Sequence, residues 1–161
     1  IHSNFVIHRD IKPQNFMIAN DEIYLIDFGF SAFYIDEKCN HMSMNKSENV
    51  LGTPKYISYH IHDGFLPTRR DDLISLGYIY IYLFCKELPW DSLKIEENPN
   101  QYNEIHILHP KNKQRKTLKE FQNLENICLQ INQKIHKFLN YCYNLNYDSL
   151  PNYNGLKTLF Q

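Results

Sequence analysis

Apolar residues follow three different patterns along this chain, and each predicts a different element. Two short runs, "FMIA" (16–19) and "IYLI" (23–26), flank the polar "NDE". The turn-forming pair Asn20-Asp21 between them predicts a β-hairpin. The stretch "RRDDLISLGYIYIYLFCKEL" (69–88) is apolar almost all round, which predicts a helix buried inside the domain. Ile127, Ile131, Ile135, Phe138, Cys142 and Leu145 recur at helical spacing and predict one amphipathic helix packed on the core. In "DSLPNYNGLKTLF" (148–160), Pro151 reads as a first helical residue, with Leu156, Leu159 and Phe160 facing inward.

The segments between these patterns read as loop. Residues 31–51 are polar and unperiodic, and residues 91–117 are polar with Pro99 and Pro110 as breakers. No internal repeat is present. The chain therefore reads as mainly α with one small hairpin. At 161 residues, 43% of them hydrophobic, it can bury a core, as one domain or a large piece of one.

Charge and cysteine usage narrow the picture. A net charge of −1 gives no general attraction to nucleic acid or to an anionic membrane, so neither is expected as a partner. The most basic stretch, "KNKQRKTLK" (111–119), reads as a solvated helix flank. The longest nearly apolar run, "LGYIYIYLFC" (76–85), is about half of what a membrane span needs. Cys39, Cys85, Cys128 and Cys142 form no CxxC pair. They read as reduced thiols, Cys85 and Cys142 among apolar neighbours, which suits a cytoplasmic or nuclear protein. His60-x-His62 and His106-x-x-His109 have spacings a metal could use, but without companion ligands they read as loop histidines.

The chemistry is concentrated near the start. Asp10, Lys12 and Asn15 lie in "HRDIKPQN", and Asp27 follows one short hairpin later in "LIDFGF". If the hairpin folds Asp27 back beside the first loop, two carboxylates, an ammonium and an amide converge. That set suits phosphoryl transfer. One carboxylate accepts the hydroxyl proton, the cation balances the migrating charge, and the amide and second carboxylate hold Mg²⁺ through oxygen. Each residue alone would read as a turn or solvated residue. HRDxKxxN followed by DFG is instead the known protein-kinase signature pair.

On these residues the chain resembles eukaryotic protein kinases, and more narrowly the casein kinase I family of serine/threonine kinases. "HRDIKPQNF", "LIDFGFSAFY", "GTPKYIS", "TRRDDLISLGY", "LPW" and "FLNYCYNLNYDSLPNY" fall in that family's order. The resemblance implies that Asp10 is the catalytic base, that Lys12 contacts the γ-phosphate of ATP, and that Asn15 and Asp27 hold Mg²⁺. It places Met17 and Ile26 against the adenine ring, and stacks His8 with Phe28. Asp72 would hydrogen-bond the backbone of the catalytic loop, and Thr53 would lie beside Asp10 and Lys12 where substrate docks. It also implies protein substrates with acidic or already phosphorylated sequences, with Arg69, Arg70 and Lys46 as the cations available to read them. Ser58, Tyr59 and His60 stand where other kinases carry A-P-E, and Tyr143 stands where the family carries arginine, a change that concerns packing.

Half of a kinase is missing from these residues. The sequence holds no GxGxxG and no VAIK-like strand, although phosphoryl transfer needs both a phosphate-covering loop and a strand lysine. Residues 1–161 therefore read as the C-terminal lobe of a protein kinase catalytic domain, inactive alone and completed by an N-terminal lobe. The alternative is a truncated or non-catalytic kinase-like binding module. Retention of Asp10, Lys12, Asn15 and Asp27 together favours the enzyme.

Overall fold

A computed structural model describes residues 1–93 and 102–161. Among the described residues, two small antiparallel sheets, five α-helices and four short 3-10 turns build it. Strand β1 (Val6–Ile7) pairs with β4 (Ala32–Phe33), and β2 (Phe16–Ala19) pairs with β3 (Glu22–Leu25), with Phe16 opposite Leu25 and Ala19 opposite Glu22. Asn20 and Asp21 join the second pair with φ of 51° and 61°. Two consecutive left-handed residues are what a tight hairpin turn requires, and Asn and Asp tolerate that region best.

The helices are α1 (Arg69–Cys85), α2 (Pro110–Leu118), α3 (Phe121–Ile131), α4 (Gln133–Tyr143) and α5 (Tyr153–Thr158). Helix α1 starts where the Asp71 carboxylate accepts from the Thr68 N–H at 2.8 Å, satisfying a donor that the helix start leaves free. It stops at Lys86, whose φ of 66° turns the chain left-handed. Ile74, Tyr78 and Ile81 of α1, Leu124 and Cys128 of α3, and Ile135, Leu139 and Cys142 of α4 form the main core, with Trp90 against them. A Cβ on Gly77 would lie 2.4 Å from Leu139 Cδ2. The absent side chain is what lets α1 and α4 approach so closely. No helix among the described residues is long and apolar enough to cross a membrane.

Several sequence expectations are corrected. The single amphipathic helix is two, because Asn132 leaves helical geometry (φ −174°, ψ 162°) and its side chain caps α4 by accepting from the Ile135 N–H. An asparagine satisfies new helix-start donors better than it continues a helix. Residues expected as loop before 118 include α2, in which Pro110 is the first helical residue rather than a breaker. Pro99 lies outside the described residues. The "solvated" flank 111–119 buries Asn112 and Lys119 completely. Helix α1 is not enclosed all round: Leu76, Leu83 and Phe84 face outward. The last helix begins at Tyr153 with Asn152 as its cap, two residues after Pro151, and Phe160 is partly exposed. Among the thiols, Cys128 and Cys142 are buried, whereas Cys85 is exposed with Cys39. Residues 31–51 do run over the surface, yet β4, an Ile35–His41 bridge and the buried Val50 pin them to the body.

Candidate active site

Strand β1 delivers the chain into the catalytic loop, and the loop is fixed from beneath by α1. Asp72, in the first turn of α1, accepts from the backbone N–H of His8 at 2.8 Å and of Arg9 at 2.9 Å. Those are the partners expected of it. Arg9 has φ of 69°, an uncommon conformation for a non-glycine residue, held here by that carboxylate. A third donor was not expected: His2 Nε2 lies 2.9 Å from the same carboxylate. Because a carboxylate only accepts, Nε2 carries a proton, and Nδ1 is hydrogen-bonded to the Tyr153 hydroxyl at 2.7 Å. Nothing in local spacing links His2 to Asp72, since the fold alone brings them together.

Asp10 is buried and fully engaged. Its Oδ1 accepts from the Thr53 N–H (3.0 Å) and hydroxyl (2.7 Å), and its Oδ2 lies 2.6 Å from the Lys12 ammonium. Lys12 Nζ also reaches Thr53 Oγ1 at 3.2 Å. Burial pushes the Asp10 carboxyl up, but Lys12 and Thr53 together outweigh it and hold the group below its ordinary value. Asp10 is therefore ionised at neutral pH, as a proton acceptor must be. Asn15 donates through Nδ2 to the Asp10 carbonyl at 2.8 Å, so its Oδ1 is turned away from Asp10. Thr53 can stand this close because Gly52, at φ 98°, brings the chain onto the catalytic loop; a Cβ there would lie 2.5 Å from the Arg9 carbonyl oxygen.

Asp27 comes back beside this loop as the hairpin predicts. Ile26 N–H donates to the Asn15 carbonyl (2.9 Å), and the buried His8 donates from Nε2 to the Ile26 carbonyl (2.9 Å). His8 Nδ1 accepts from the Asp10 N–H at 3.3 Å, which fixes that tautomer. The His8 and Phe28 rings meet edge to face, 5.1 Å apart. Asp27 has φ of 60° and its carboxylate is exposed, accepting from Gly29 N–H at 3.3 Å. Met17 and Phe28 are about half exposed and Ile26 is half-buried, so an apolar floor lies open beside the carboxylates.

Arg69 and Arg70 are not brought to this site. Both are buried at the start of α1. Arg69 donates to the Asp148 carbonyl (2.6 Å) and stacks over Tyr34, while Arg70 donates to the Leu145 carbonyl (2.8 Å) and lies over Tyr147. Charge alone gave no sign of this, because a buried arginine and a substrate-reading one look alike in sequence. Lys46 is exposed, with its ammonium 4.2 Å from the centre of the Phe65 ring. Among the described residues no cluster of three His, Cys, Asp or Glu could hold a metal ion.

Ser58, at the first of the A-P-E-like positions, donates to the buried Asp71 carboxylate. Burial lifts the Asp71 carboxyl to about 6, against the downward pull of Arg70 and the Ser58 hydroxyl. A folded-state pKa above the unfolded one means that protonated Asp71 favours the folded state. This contribution is fully present below about pH 4 and is lost as pH rises through about 6, a change of about 3 kcal/mol. His60, pushed down to about 4 first by burial and then by Arg70, acts in the opposite direction, losing stability as pH falls. Comparison with Asp71→Asn isolates the carboxyl. The stability advantage of wild type over that variant, from urea unfolding, is expected to shrink by about 2 kcal/mol between pH 4 and pH 7, since the unfolded carboxyl is already partly ionised at pH 4. A pH-independent difference would show that Asp71 does not titrate in this range.

Asp10, Lys12 and Asn15 thus lie on one loop, and the Ile26 N–H bond to the Asn15 carbonyl sets the turn at Asp27 beside it. The chain belongs to the protein kinase domain family, which matches residues 1–154. Within that family it is casein kinase I-like. It is 35% identical to a probable casein kinase I homolog of Encephalitozoon cuniculi over 98% of this chain and 49% of that protein. It is 34% identical to casein kinase I homolog 1 of Schizosaccharomyces pombe over 99% of this chain and 35% of that protein. The chain thus spans about half or less of the length of these curated relatives.

Proposed function

We propose that this chain supplies the C-terminal, catalytic-loop lobe of a serine/threonine kinase that transfers the γ-phosphate of ATP to protein hydroxyls. The observation that carries the proposal is Asp10, buried yet ionised, gripped by Lys12 and Thr53 at the open edge of the site. Asp10 accepts the proton of the incoming hydroxyl, and Lys12 stands where it neutralises the transferred phosphoryl group.

The donor set fits magnesium. Asn15 Oδ1 and the exposed Asp27 carboxylate would be its two oxygen ligands, and Mg²⁺ usually takes only one or two protein oxygens, completing its shell with water and substrate phosphates. Bound there with ATP, the ion would supply charge neutralisation at the phosphates. The same sparse ligand set makes a weak site without a second lobe. Residues 1–161 by themselves are therefore expected to bind ATP–Mg²⁺ poorly and to phosphorylate casein negligibly.

Substrates that are acidic or already phosphorylated remain part of the proposal through the exposed Lys46, but the buried guanidiniums of Arg69 and Arg70 lend it no support. The test is phosphotransfer by the full-length protein to primed, acidic and basic serine and threonine peptides at low and moderate salt. Transfer favouring acidic or primed peptides is the expected result, and it should fall with salt as screening weakens the attraction. A preference for basic peptides would remove the specificity and leave the reaction. Absence of transfer to any hydroxyl peptide would remove the reaction too.

A further inference from the structure

Lys119, the residue that ends α2, has no solvent exposure. Its ammonium lies 2.8 Å from the Pro54 carbonyl, 2.8 Å from the Ile57 carbonyl and 3.0 Å from His62 Nε2. The role of His62 is fixed by the next residue in the chain of contacts. Asn112 donates through Nδ2 to the His62 and Ile107 carbonyls, so its Oδ1 faces His62 Nδ1, which must carry the proton. Nε2 is then an acceptor. All three partners of Lys119 accept, and a lysine has three donors only as the ammonium. Burial, and secondarily Arg115, pull its pKa down. The three acceptors and the faces of Trp90 and Tyr78, 4.8 and 5.2 Å from Nζ, favour the cation against that pull.

The carbonyls that Lys119 holds belong to the turn that carries Thr53. Between them, the Lys55 carbonyl accepts from the buried Trp90 indole N–H at 2.7 Å. Tyr56 N–H and Ile57 N–H close the turn on the Thr53 carbonyl at 2.8 and 3.0 Å. Three carbonyls within residues 54–57 are thus gripped by buried side-chain donors from distant parts of the chain. The other end of the same turn grips Asp10.

We propose that Lys119, with Trp90 beside it and His62 and Asn112 behind it, is a positioning residue that sets the 53–57 turn and thereby places Thr53 on the catalytic carboxylate. The amine never meets substrate. It acts on the reaction only by fixing where the Thr53 hydroxyl and N–H stand relative to Asp10 Oδ1. The inference relies on the phosphotransfer reading for its kinetic consequence alone; the clamp on the turn stands on geometry.

Two measurements on the full-length protein separate these parts. Lys119→Met keeps the apolar stem and removes every donor. Amide hydrogen exchange at Tyr56 and Ile57 is expected to quicken about tenfold relative to wild type, with Leu139 and Cys142 of α4 unchanged, as befits loss of hydrogen bonds from a charged donor. In steady-state assays kcat should fall about tenfold while the KM for ATP stays within about twofold, because the loss is felt in the transition state and not in nucleotide binding. Trp90→Phe, which retains one aromatic ring but deletes the N–H to Lys55 together with part of the indole's bulk, should act in the same direction and carries the test if Lys119→Met does not fold. Unchanged exchange at Tyr56 and Ile57, or equal quickening throughout α4, would overturn the clamp. Local quickening with unchanged kcat in a protein that phosphorylates peptides would overturn its catalytic role. If wild type transfers no phosphate, the functional reading fails and the exchange result still decides the clamp.

Discussion

Asp10→Asn in the full-length protein is expected to cut kcat by about 10²- to 10⁴-fold, the usual range for loss of a general base. The structure gives two reasons. An amide cannot take the hydroxyl proton, so the nucleophile must lose it to solvent. The amide also disrupts its own site, because Oδ1 can continue to accept from Thr53 while Nδ2 would face the Lys12 ammonium across 2.6 Å. Two donors cannot share that distance, so Lys12 must swing away from the position in which it meets the phosphoryl group. The KM for ATP should change less than kcat, since Asp10 bears on the nucleotide only through Lys12. A kcat within about tenfold of wild type would remove Asp10 from the base role, because smaller losses are what a positioning contact produces. Asp27→Asn, in contrast, should weaken nucleotide binding and turnover together, because the Asp27 carboxylate would help hold an ion that neutralises the phosphates in both ground and transition states.

Asp72→Ala is expected to cost about 3 kcal/mol or more of unfolding free energy, because each buried donor left without an acceptor costs about 1–3 kcal/mol. Three donors converge on this carboxylate: His8 N–H, Arg9 N–H and His2 Nε2. Deletion leaves all three without an acceptor inside the protein, and buried unsatisfied donors lose their hydration with nothing in return. Arg9 would lose the contact that holds its left-handed backbone, so Asp10 would lose its position as well. Urea unfolding should show a lower midpoint with an unchanged slope, and Asp72→Asn, which keeps one acceptor, should fall between the two. A midpoint equal to wild type would mean that the loop is held by other contacts.

His2 and Tyr153 extend this anchor in a way that the sequence gave no means to foresee. The same is true of Arg69 and Arg70. Their basic charge next to the kinase-like "DDL" invites a substrate role, yet their guanidiniums are directed to the carbonyls of Asp148 and Leu145. Tyr143 shows the opposite case, in which a departure from family pattern was correctly read as packing. Its hydroxyl donates to the Lys119 carbonyl at 2.7 Å and accepts from Tyr78, filling the floor beneath the clamped turn.

What the sequence determined by itself is whatever depends on near neighbours along the chain. Asn20 and Asp21 suffice to turn the β2–β3 hairpin, and that hairpin suffices to bring Asp27 back to Asn15. The four candidate site residues could therefore be placed together from the sequence, because one local turn brings their segments side by side. Helix α1 was legible from its apolar run, whereas the break at Asn132 was not, because Ile131 and Ile135 keep helical spacing across it. The tertiary structure alone decided which polar groups would be buried. Lys119 looks like any lysine in a basic run, and it loses its water only because the 54–57 turn, Trp90 and Tyr78 close over it from other parts of the chain. Burying a cation is favourable only where acceptors are already aimed at it, and those acceptors are backbone carbonyls, which every residue possesses and no sequence pattern marks.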